Sequence, residues 1–364
     1  MVFKKSKKSP ETEVLKEELA QEIESVDVET DVEAVMRKYD RESNTRVWEG
    51  APKAVISAIM ALFSIYCIGM TLFSTELPET KLARFLACVI IIGYLIYPAR
   101  KNGRVRVNYM PWYDVVIMLA GAGSFLYFAF NAYDILMLTS RIEPLHIVLG
   151  IIGILVVADL CRRSVGVPIL VVVGCLLIYA LVWRYDQCHD LYLTIRLIIF
   201  KLFYTTSGVI GTPINVCYTY IVLFIIFGAF LERTGIAAFF ISFANRVAGW
   251  SSGGAAKVAV ISSALCGMVS GSSVGNTVTT GSVTIPMMKK TGYKPEFAGA
   301  VEAASSTGGQ IMPPIMGAAA FLMAEYMGIP YIQVATIALI PALLYFGGIF
   351  CTVHLEANAR GLKG

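Results

Sequence analysis

The stretch 258–331 constrains the fold of this chain more than any other part of the sequence. It is apolar enough for a membrane, yet it is interrupted at 270–273 (SGSS) and at 307–314 (TGGQIMPP). The first apolar arm, 258–269, would reach only about 18 Å as a helix, whereas a hydrocarbon core is about 30 Å thick. Irregular backbone at membrane depth persists only where it is buried in protein or lines a polar cavity. The stretch therefore predicts half-spanning arms and broken helices, which secondary transporters use to build ion and substrate sites.

Composition places the whole chain in the same class. Of its 364 residues, 56% are hydrophobic and 15% are charged, which is typical of a polytopic membrane protein. Candidate spans of suitable length lie at 54–73, 82–97, 113–130, 146–160, 167–183, 218–231 and 331–352, with a shorter helix at 236–248. We therefore expect an all-α polytopic membrane protein that contains a re-entrant helical hairpin and a broken helix.

Basic residues fall on every second loop of this scheme. They include Arg100, Lys101, Arg104, Arg106, Arg162, Arg163, Lys289, Lys290 and Lys294. The positive-inside rule then places the N-terminus in the cytoplasm and 186–190 outside. The scheme requires 270–273 to be a re-entrant tip, because one continuous span over 258–288 would carry Lys289 to the outside. Lys257 and Lys289 are therefore both expected to face the cytoplasm.

Two segments lie outside these spans. Segment 1–50 is rich in lysine and acidic residues and has no apolar core like that of a signal peptide, so it is expected to be a charged cytoplasmic segment. Segment 190–205 would carry one polar stripe along a helix, made of Asp190, Thr194, Lys201 and Thr205. The stripe favours a helix in the outer interface, and the alternative is a further full span with two snorkelling cations.

The first interruption and the turn after it supply oxygen atoms without formal charge. They come from Ser270, Ser272, Ser273, Asn276, Thr277 and Thr279. Neutral oxygens suit hard cations such as Na⁺, and the N-termini of half-helices favour an anion. The alternative is simple helix packing, because Gly267, Gly271 and Gly275 form a G-x-x-x-G pattern. Pro313 and Pro314 weigh against packing alone, since adjacent prolines interrupt a helix.

Glu302 is the one acid well inside an apolar run. An intramembrane acid indicates ion or proton coupling. The alternative, which the sequence slightly favours, is an acid near the cytoplasmic surface that pairs with Lys289 or Lys290.

These residues carry a resemblance to a known family. The runs GMVSGSSVGNTVTTGSVTIPMMKKTGY and GAVEAASSTGGQIMPP resemble the membrane subunit of tripartite ATP-independent periplasmic (TRAP) transporters. Upstream, RKYDRESNTR, YPARKNGR and PWYDVV resemble fused permeases, in which a small four-helix subunit precedes the large one. The resemblance implies an elevator-type, Na⁺-driven importer of organic acids in a bacterial inner membrane. It also implies a periplasmic substrate-binding protein as partner.

The resemblance further implies a domain plan and a site. The plan is a cytoplasmic segment at 1–50, a small-subunit domain at 51–166, a linking and an interfacial helix at 167–206, and the first large-subunit repeat at 207–364. The implied Na⁺ ligands are Ser270, Gly271, Ser272, Thr307, Gly308 and Gly309, and the implied substrate contacts are Ser273, Asn276, Thr277 and Pro313. No organic cofactor, no metal beyond Na⁺ and no nucleic-acid partner is expected.

One departure from the family opens alternatives. The family's large subunit contains two inverted repeats, each with a hairpin and a broken helix, and this sequence holds one. We therefore expect a truncated gene product, a fragment, or one half of a split permease, with the second Na⁺ site in the absent sequence. In the last case a second polypeptide would supply the missing half. The competing interpretation is a non-transporting membrane scaffold or docking subunit. A membrane enzyme is disfavoured because the sequence holds no nucleophile–base or metal-binding motif.

Overall fold

The computed structural model describes residues 45–99, 107–138 and 141–362. Within these ranges the chain consists of helices and connecting turns without a β-strand, which confirms the predicted all-α class. Most of the predicted segment 1–50 lies outside the described residues, as do Arg100, Lys101, Arg104 and Arg106 of the predicted basic loop.

Seven helices precede the predicted large-subunit region. They are α1 (Ala51–Phe73), α2 (Pro78–Ile96), α3 (Trp112–Phe130), α4 (Ala132–Met137), α5 (Pro144–Ser164), α6 (Val167–Cys188) and α7 (Leu191–Phe203). Proline occupies the first turn of four of them, at Pro52, Pro78, Pro144 and Pro168. Proline is favoured there because its missing N–H would have no partner in the helix. The local sequence thus explains where these helices begin.

The remaining helices contain the predicted hairpin and broken helix. They are α8 (Thr212–Val216), a π-helical turn (Cys217–Ile221), α9 (Val222–Arg233), α10 (Ile236–Ala248), α11 (Gly254–Ser270), α12 (Ser273–Lys290), α13 (Pro295–Gly308), a 3₁₀ turn (Gly309–Ile311), α14 (Ala318–Met327) and α15 (Tyr331–Ala359). The break predicted after Gly308 is therefore present, and it separates α13 from α14.

Six helical segments are long and apolar enough to cross a membrane. They are Ala51–Phe73, Trp112–Phe130, Pro144–Ser164, Val167–Cys188, Thr212–Leu231 and Tyr331–Ala359. The span predicted at 82–97 corresponds to α2, which is not among the six. Its first two turns carry Glu79, Lys81 and Arg84. The described chain is thus a multi-pass membrane protein whose second helix is more polar than its neighbours.

The short helix α7 packs into the core of the first helices. Phe203 is fully buried, and an added Cβ on Gly153 of α5 would lie 2.1 Å from its ring. Small residues let membrane helices approach closely in this way. With 13 residues, α7 reaches only about 20 Å, so its length suits an interfacial helix better than a full span. The predicted polar stripe does not face water as a whole, because Thr194 is fully buried.

A buried ion-pair network connects α3 and α5 at one end of this helix group. Asp114 at the start of α3 is fully buried and pairs with Arg46 and with Arg163, whose Nη2 lies 2.8 Å from Asp114 Oδ1. Arg163 also contacts Asp159 through a 2.7 Å Nε–Oδ2 pair, and Asp159 pairs with the more exposed Arg162. Each buried charge in the network faces an opposite charge, which offsets part of the desolvation cost, while Arg46 Nε and Arg163 Nη1 form no hydrogen bond.

The hairpin arms α11 and α12 are longer than predicted. They contain 17 and 18 residues, about 26 Å each, instead of about 18 Å. The difference arises because α11 already begins at Gly254 and includes Lys257, which is only 4% exposed. Its Nζ donates to Ser251 Oγ at 3.0 Å and lies over the Phe350 ring. The arms therefore nearly match a hydrocarbon core.

Candidate functional site

The tip of the hairpin is a two-residue turn between α11 and α12. Gly271 adopts a left-handed backbone (φ 61°), which glycine tolerates because it has no Cβ. An added Cβ would lie 2.2 Å from Met316 O. Ser272 follows as the N-cap of α12, and its Oγ accepts a hydrogen bond from Gly275 N at 3.2 Å. The SGSS sequence therefore ends one helix and starts the next.

The tip lies directly against the break between α13 and α14. Ile315 N donates to Met268 O at 3.3 Å, and Gln310 Nε2 donates to Ser273 Oγ at 3.1 Å. The tip and the break thus form backbone and side-chain hydrogen bonds with each other, which satisfy part of the hydrogen-bonding groups of both segments. This contact is what allows non-helical backbone to lie inside a membrane protein.

Two glycines bring the backbones of the hairpin and the break into contact. An added Cβ on Gly267 would lie 2.4 Å from Gly309 Cα, and one on Gly309 would lie 2.7 Å from Gly267 Cα. Either Cβ would also approach Asn276 Nδ2 to 3.3 Å. The G-x-x-x-G pattern thus packs the hairpin against the break, so the packing interpretation and the site interpretation apply to the same residues.

Asn276 lies at this crossing and is only 1% exposed. Its Nδ2 donates to Ser263 O at 2.8 Å, whereas its Oδ1 has no hydrogen-bond partner. Buried amide oxygens are rarely left unpaired, so such an atom needs an explanation. A cation at the crossing would explain it, because an amide oxygen is a neutral hard ligand. Asn276 was predicted to contact substrate, and that role stays a prediction.

The other predicted cation ligands differ in how they meet the tip. Thr307 is exposed, and its hydroxyl donates to Ala303 O in its own helix at 2.8 Å. The Cα of Gly308 faces α15, where an added Cβ would lie 2.5 Å from the Tyr345 ring. A Cβ on Gly308 would therefore point at α15, whereas one on Gly309 would point at Gly267 in the hairpin. Ser270 Oγ lies 3.5 Å from Ser272 O, within the turn itself.

The predicted substrate contacts are spread along the same crossing. Thr277 is half-buried and its hydroxyl donates to Ser273 O at 2.8 Å. Pro313 is half-buried in the break. A narrow cleft borders the tip, with room for about one water molecule. Its lining comes from α10 and the hairpin: Ile236, Ala237, Cys266, Val269, Ser270, Asn276 and Thr279.

A second polar group lies deeper between the hairpin and α13. Glu302 is fully buried. Its carboxylate accepts hydrogen bonds from Ser263 Oγ at 2.9 Å, from Ser306 Oγ at 3.2 Å, and from the hydroxyls of Thr280 and Thr284. We call these five residues the Glu302 cluster. The hydroxyls belong to both hairpin arms and to α13, so the cluster joins all three helices.

The cluster corrects the favoured sequence interpretation of Glu302. Neither Lys289 nor Lys290 forms an ion pair with it in the described chain. Both lysines are exposed at the end of α12, while Glu302 faces the interior. The sequence alone did not assign these hydroxyls to Glu302. The signal was present, because polar residues occur at every fourth position, at Asn276, Thr280 and Thr284. That spacing places them on one face of a helix.

Comparison with known proteins completes the description of the site. Residues 152–364, more than half of the chain, match the model of the family "Tripartite ATP-independent periplasmic transporter, DctM component". The chain belongs to this family. The match confirms the resemblance seen in the hairpin and break motifs, and both lie inside it. The matched region begins within α5, upstream of the boundary predicted at 207.

Three relatives of this TRAP transporter component share the description "C4-dicarboxylate TRAP transporter large permease protein DctM". The Vibrio cholerae protein is 27% identical over 214 residues, which is 58% of this chain and 44% of that protein. The Pseudomonas aeruginosa protein is 27% identical over 46% of this chain and 38% of its own length. The Rhodobacter capsulatus protein is 38% identical over 25% of this chain and 21% of its own length. The chain thus spans less than half the length of these relatives.

Proposed function

We propose that this chain is the permease component of a Na⁺-coupled secondary transporter that imports C4-dicarboxylates. The names of its relatives refer to C4-dicarboxylates, and the organic-acid class inferred from sequence includes them. The observation that carries the proposal is the crossing of Gly267 and Gly309 beside the unpaired Asn276 Oδ1. Many secondary transporters bind their coupling ion at such a site, where interrupted helices meet.

In this proposal Asn276 Oδ1 and backbone carbonyls of the tip and the break hold the Na⁺. None of these ligands carries a formal charge, so the ion stays exchangeable. Bound Na⁺ draws the tip and the break together, and the ordered tip then receives the anionic substrate beside it. Ser273 and Gln310 already join the tip and the break through a side-chain hydrogen bond. Ordering the tip around Na⁺ therefore requires only a small movement of the backbone.

The proposal extends to location and partners. We place the chain in a bacterial inner membrane with its N-terminus in the cytoplasm. It would take part in an elevator-type transport mechanism. A periplasmic substrate-binding protein would deliver the substrate. The second hairpin and broken helix that the family implies would complete the transport unit. The competing function is a non-transporting scaffold, which predicts no uptake even when that second half is supplied.

The test is uptake of succinate into proteoliposomes that hold this chain and its complementary half, driven by a Na⁺ gradient. Asn276→Ala removes a neutral ligand, a loss of about 1–3 kcal/mol. The Na⁺ concentration for half-maximal uptake should then rise roughly ten- to hundredfold, with the maximal rate retained. Ser282→Ala is the matched control, because Ser282 is exposed on α12 and its hydroxyl donates within that helix.

Ser272 is a poorer test residue than the sequence indicates. Its hydroxyl caps α12, so its loss would cost about 0.5–2 kcal/mol of helix stability without any change in ion binding. An unchanged Na⁺ requirement in Asn276→Ala would refute the ion site. Uptake without a Na⁺ gradient would refute the coupling, and no uptake in the parent complex would favour the scaffold.

A further inference from the structure

The loop of the break, 310–317, has few amide groups of its own to hold it in place. Its two adjacent prolines have no N–H group. Gly317 N donates to Gln310 O at 2.7 Å, which closes the loop, while Ile315 N donates out of the loop to Met268 O in the hairpin. Backbone carbonyls inside a membrane protein need donors, so those in the middle of this loop depend on donors from elsewhere.

Tyr331 supplies such a donor to the middle of the loop. Its hydroxyl oxygen lies 2.7 Å from Pro314 O and 2.6 Å from Ile315 O. The hydroxyl has one proton, so it donates to one of these carbonyls at a time. Because Tyr331 is the first residue of α15, the helix fixes its backbone. The residue therefore attaches the loop to α15.

The ring of Tyr331 is held by aromatic neighbours from two other helices. It stacks on Phe321 of α14, with ring centroids 4.3 Å apart and planes 7° apart. Phe224 of α9 contacts both rings, at centroid distances of 6.0 and 5.2 Å. Such ring pairs add to the stability of the packing, and a tyrosine side chain has only two rotatable angles to fix. The position of the hydroxyl is thus set by three helices.

Ile315 connects this hydroxyl to the hairpin tip. It is only 5% exposed, and its O lies against Tyr331 while its N donates to the hairpin. The next residue, Met316, has a left-handed backbone (φ 55°), which a residue with a side chain keeps only where its surroundings hold it. Met316 O borders the tip, since an added Cβ on Gly271 would lie 2.2 Å from it. A shift of the loop would therefore displace the tip.

We propose that Tyr331 is a positioning residue for the Na⁺ site, an inference that rests on the proposed function for the identity of the ion. The hydroxyl is not a ligand of the ion. It acts through Ile315 and holds the break against the tip, so that the carbonyl ligands are in place before Na⁺ arrives. Losing the hydroxyl leaves every ligand present, but the ion must then order the loop itself. Such an ordering cost lowers affinity.

Hydrogen–deuterium exchange of the purified full chain in detergent, measured on peptides that cover 310–317, tests this proposal. Without Na⁺, Tyr331→Phe should speed exchange of this segment by roughly two- to tenfold, the effect of losing one hydrogen bond. Na⁺ should slow exchange in the wild type, and the Na⁺ concentration for half-maximal protection should rise by a similar factor in Tyr331→Phe.

Tyr345→Phe is the matched control for this substitution. Tyr345 lies on the same helix, and its hydroxyl donates to Ala304 O of α13, not to the break, at 2.9 Å. Both variants lose one bond from a tyrosine hydroxyl to a backbone carbonyl and keep the ring. The control should leave both the exchange of 310–317 and the Na⁺ midpoint as they are in the wild type.

Two results would overturn the inference alone. One is equal exchange of 310–317 in Tyr331→Phe and the wild type without Na⁺. The other is Na⁺ protection with the same midpoint in the wild type and in Tyr331→Phe, which would leave the ion site intact and reduce Tyr331 to a structural role. A wild-type chain that Na⁺ does not protect would instead refute the proposed ion site, and the inference would fail with it.

Discussion

Replacing Gly267 by alanine should separate the hairpin from the break. The added Cβ would lie 2.4 Å from Gly309 Cα, whereas carbon atoms in favourable contact lie 3.5–4.0 Å apart. The two backbones would therefore have to move apart by about 1 Å or more. No flexible side-chain end can yield here, because the opposing atom belongs to the backbone. The contact that forms the proposed ion site is thus the part of the molecule that the substitution strains.

The expected cost is that of overpacking a close contact, about 1–3 kcal/mol. For a unit of 150–250 residues, 1 kcal/mol shifts the unfolding temperature by about 2–4 °C. Gly267→Ala should therefore lower Tm by roughly 2–12 °C. Gly299→Ala should do the opposite, because an added Cβ on Gly299 in α13 meets nothing within 4 Å. There alanine should stabilise the helix by about 0.5–1 kcal/mol.

The assay is thermal unfolding of both variants in detergent, followed by tryptophan fluorescence, with and without Na⁺. The two glycines lie on adjacent helices of the same unit, so detergent affects both variants alike. Opposite signs of the two shifts would support the Gly267–Gly309 contact. A rise in Tm for Gly267→Ala equal to that for Gly299→Ala would show that the two backbones do not touch, and the site would lose its geometry.

Two further predictions concern the buried network and the topology. Arg163→Met should destabilise the chain by about 3–5 kcal/mol, because it leaves buried acids unpaired. Arg162→Met should cost less than about 1 kcal/mol, since its side chain is 45% exposed, and comparison of their chemical unfolding in detergent checks the contrast. Cysteines at Trp250 and Lys289, both exposed, should label from the same side of the membrane, and one at Asp186 from the other. Labelling of the Lys289 position together with Asp186 would contradict the re-entrant hairpin.

The breaks in the helices were predictable because the residues at each break determine where the helix ends. A glycine that can adopt the left-handed conformation ends a helix, a serine cap begins the next one, and adjacent prolines interrupt a helix. The tip at 270–273 and the break after Gly308 therefore lie where the sequence predicts them. The proposed roles of the residues at these breaks, including Ser272 and Thr307, stay predictions.

The partners across helices were not predictable in the same way. Glu302 was assigned to Lys289 or Lys290 because these lysines are near in sequence, yet the fold surrounds it with hydroxyls from two other helices. The burial of Thr194 in α7 likewise depends on how α7 packs against its neighbours, notably on glycines such as Gly153 in α5. Such contacts depend on tertiary packing, which overrides a pattern read along one helix.

The Arg46–Asp114–Arg163 network also sets an order of events during synthesis. A chain is made from its N-terminus, so Asp114 enters the membrane when Arg46 is already available and before α5, which carries Arg163, has been inserted. We expect α3 to be held at the interface by its half-paired acid until α5 arrives. Asp114→Asn should therefore speed insertion of α1–α3 in a staged translation assay while weakening the finished bundle. Equal insertion rates would contradict this order.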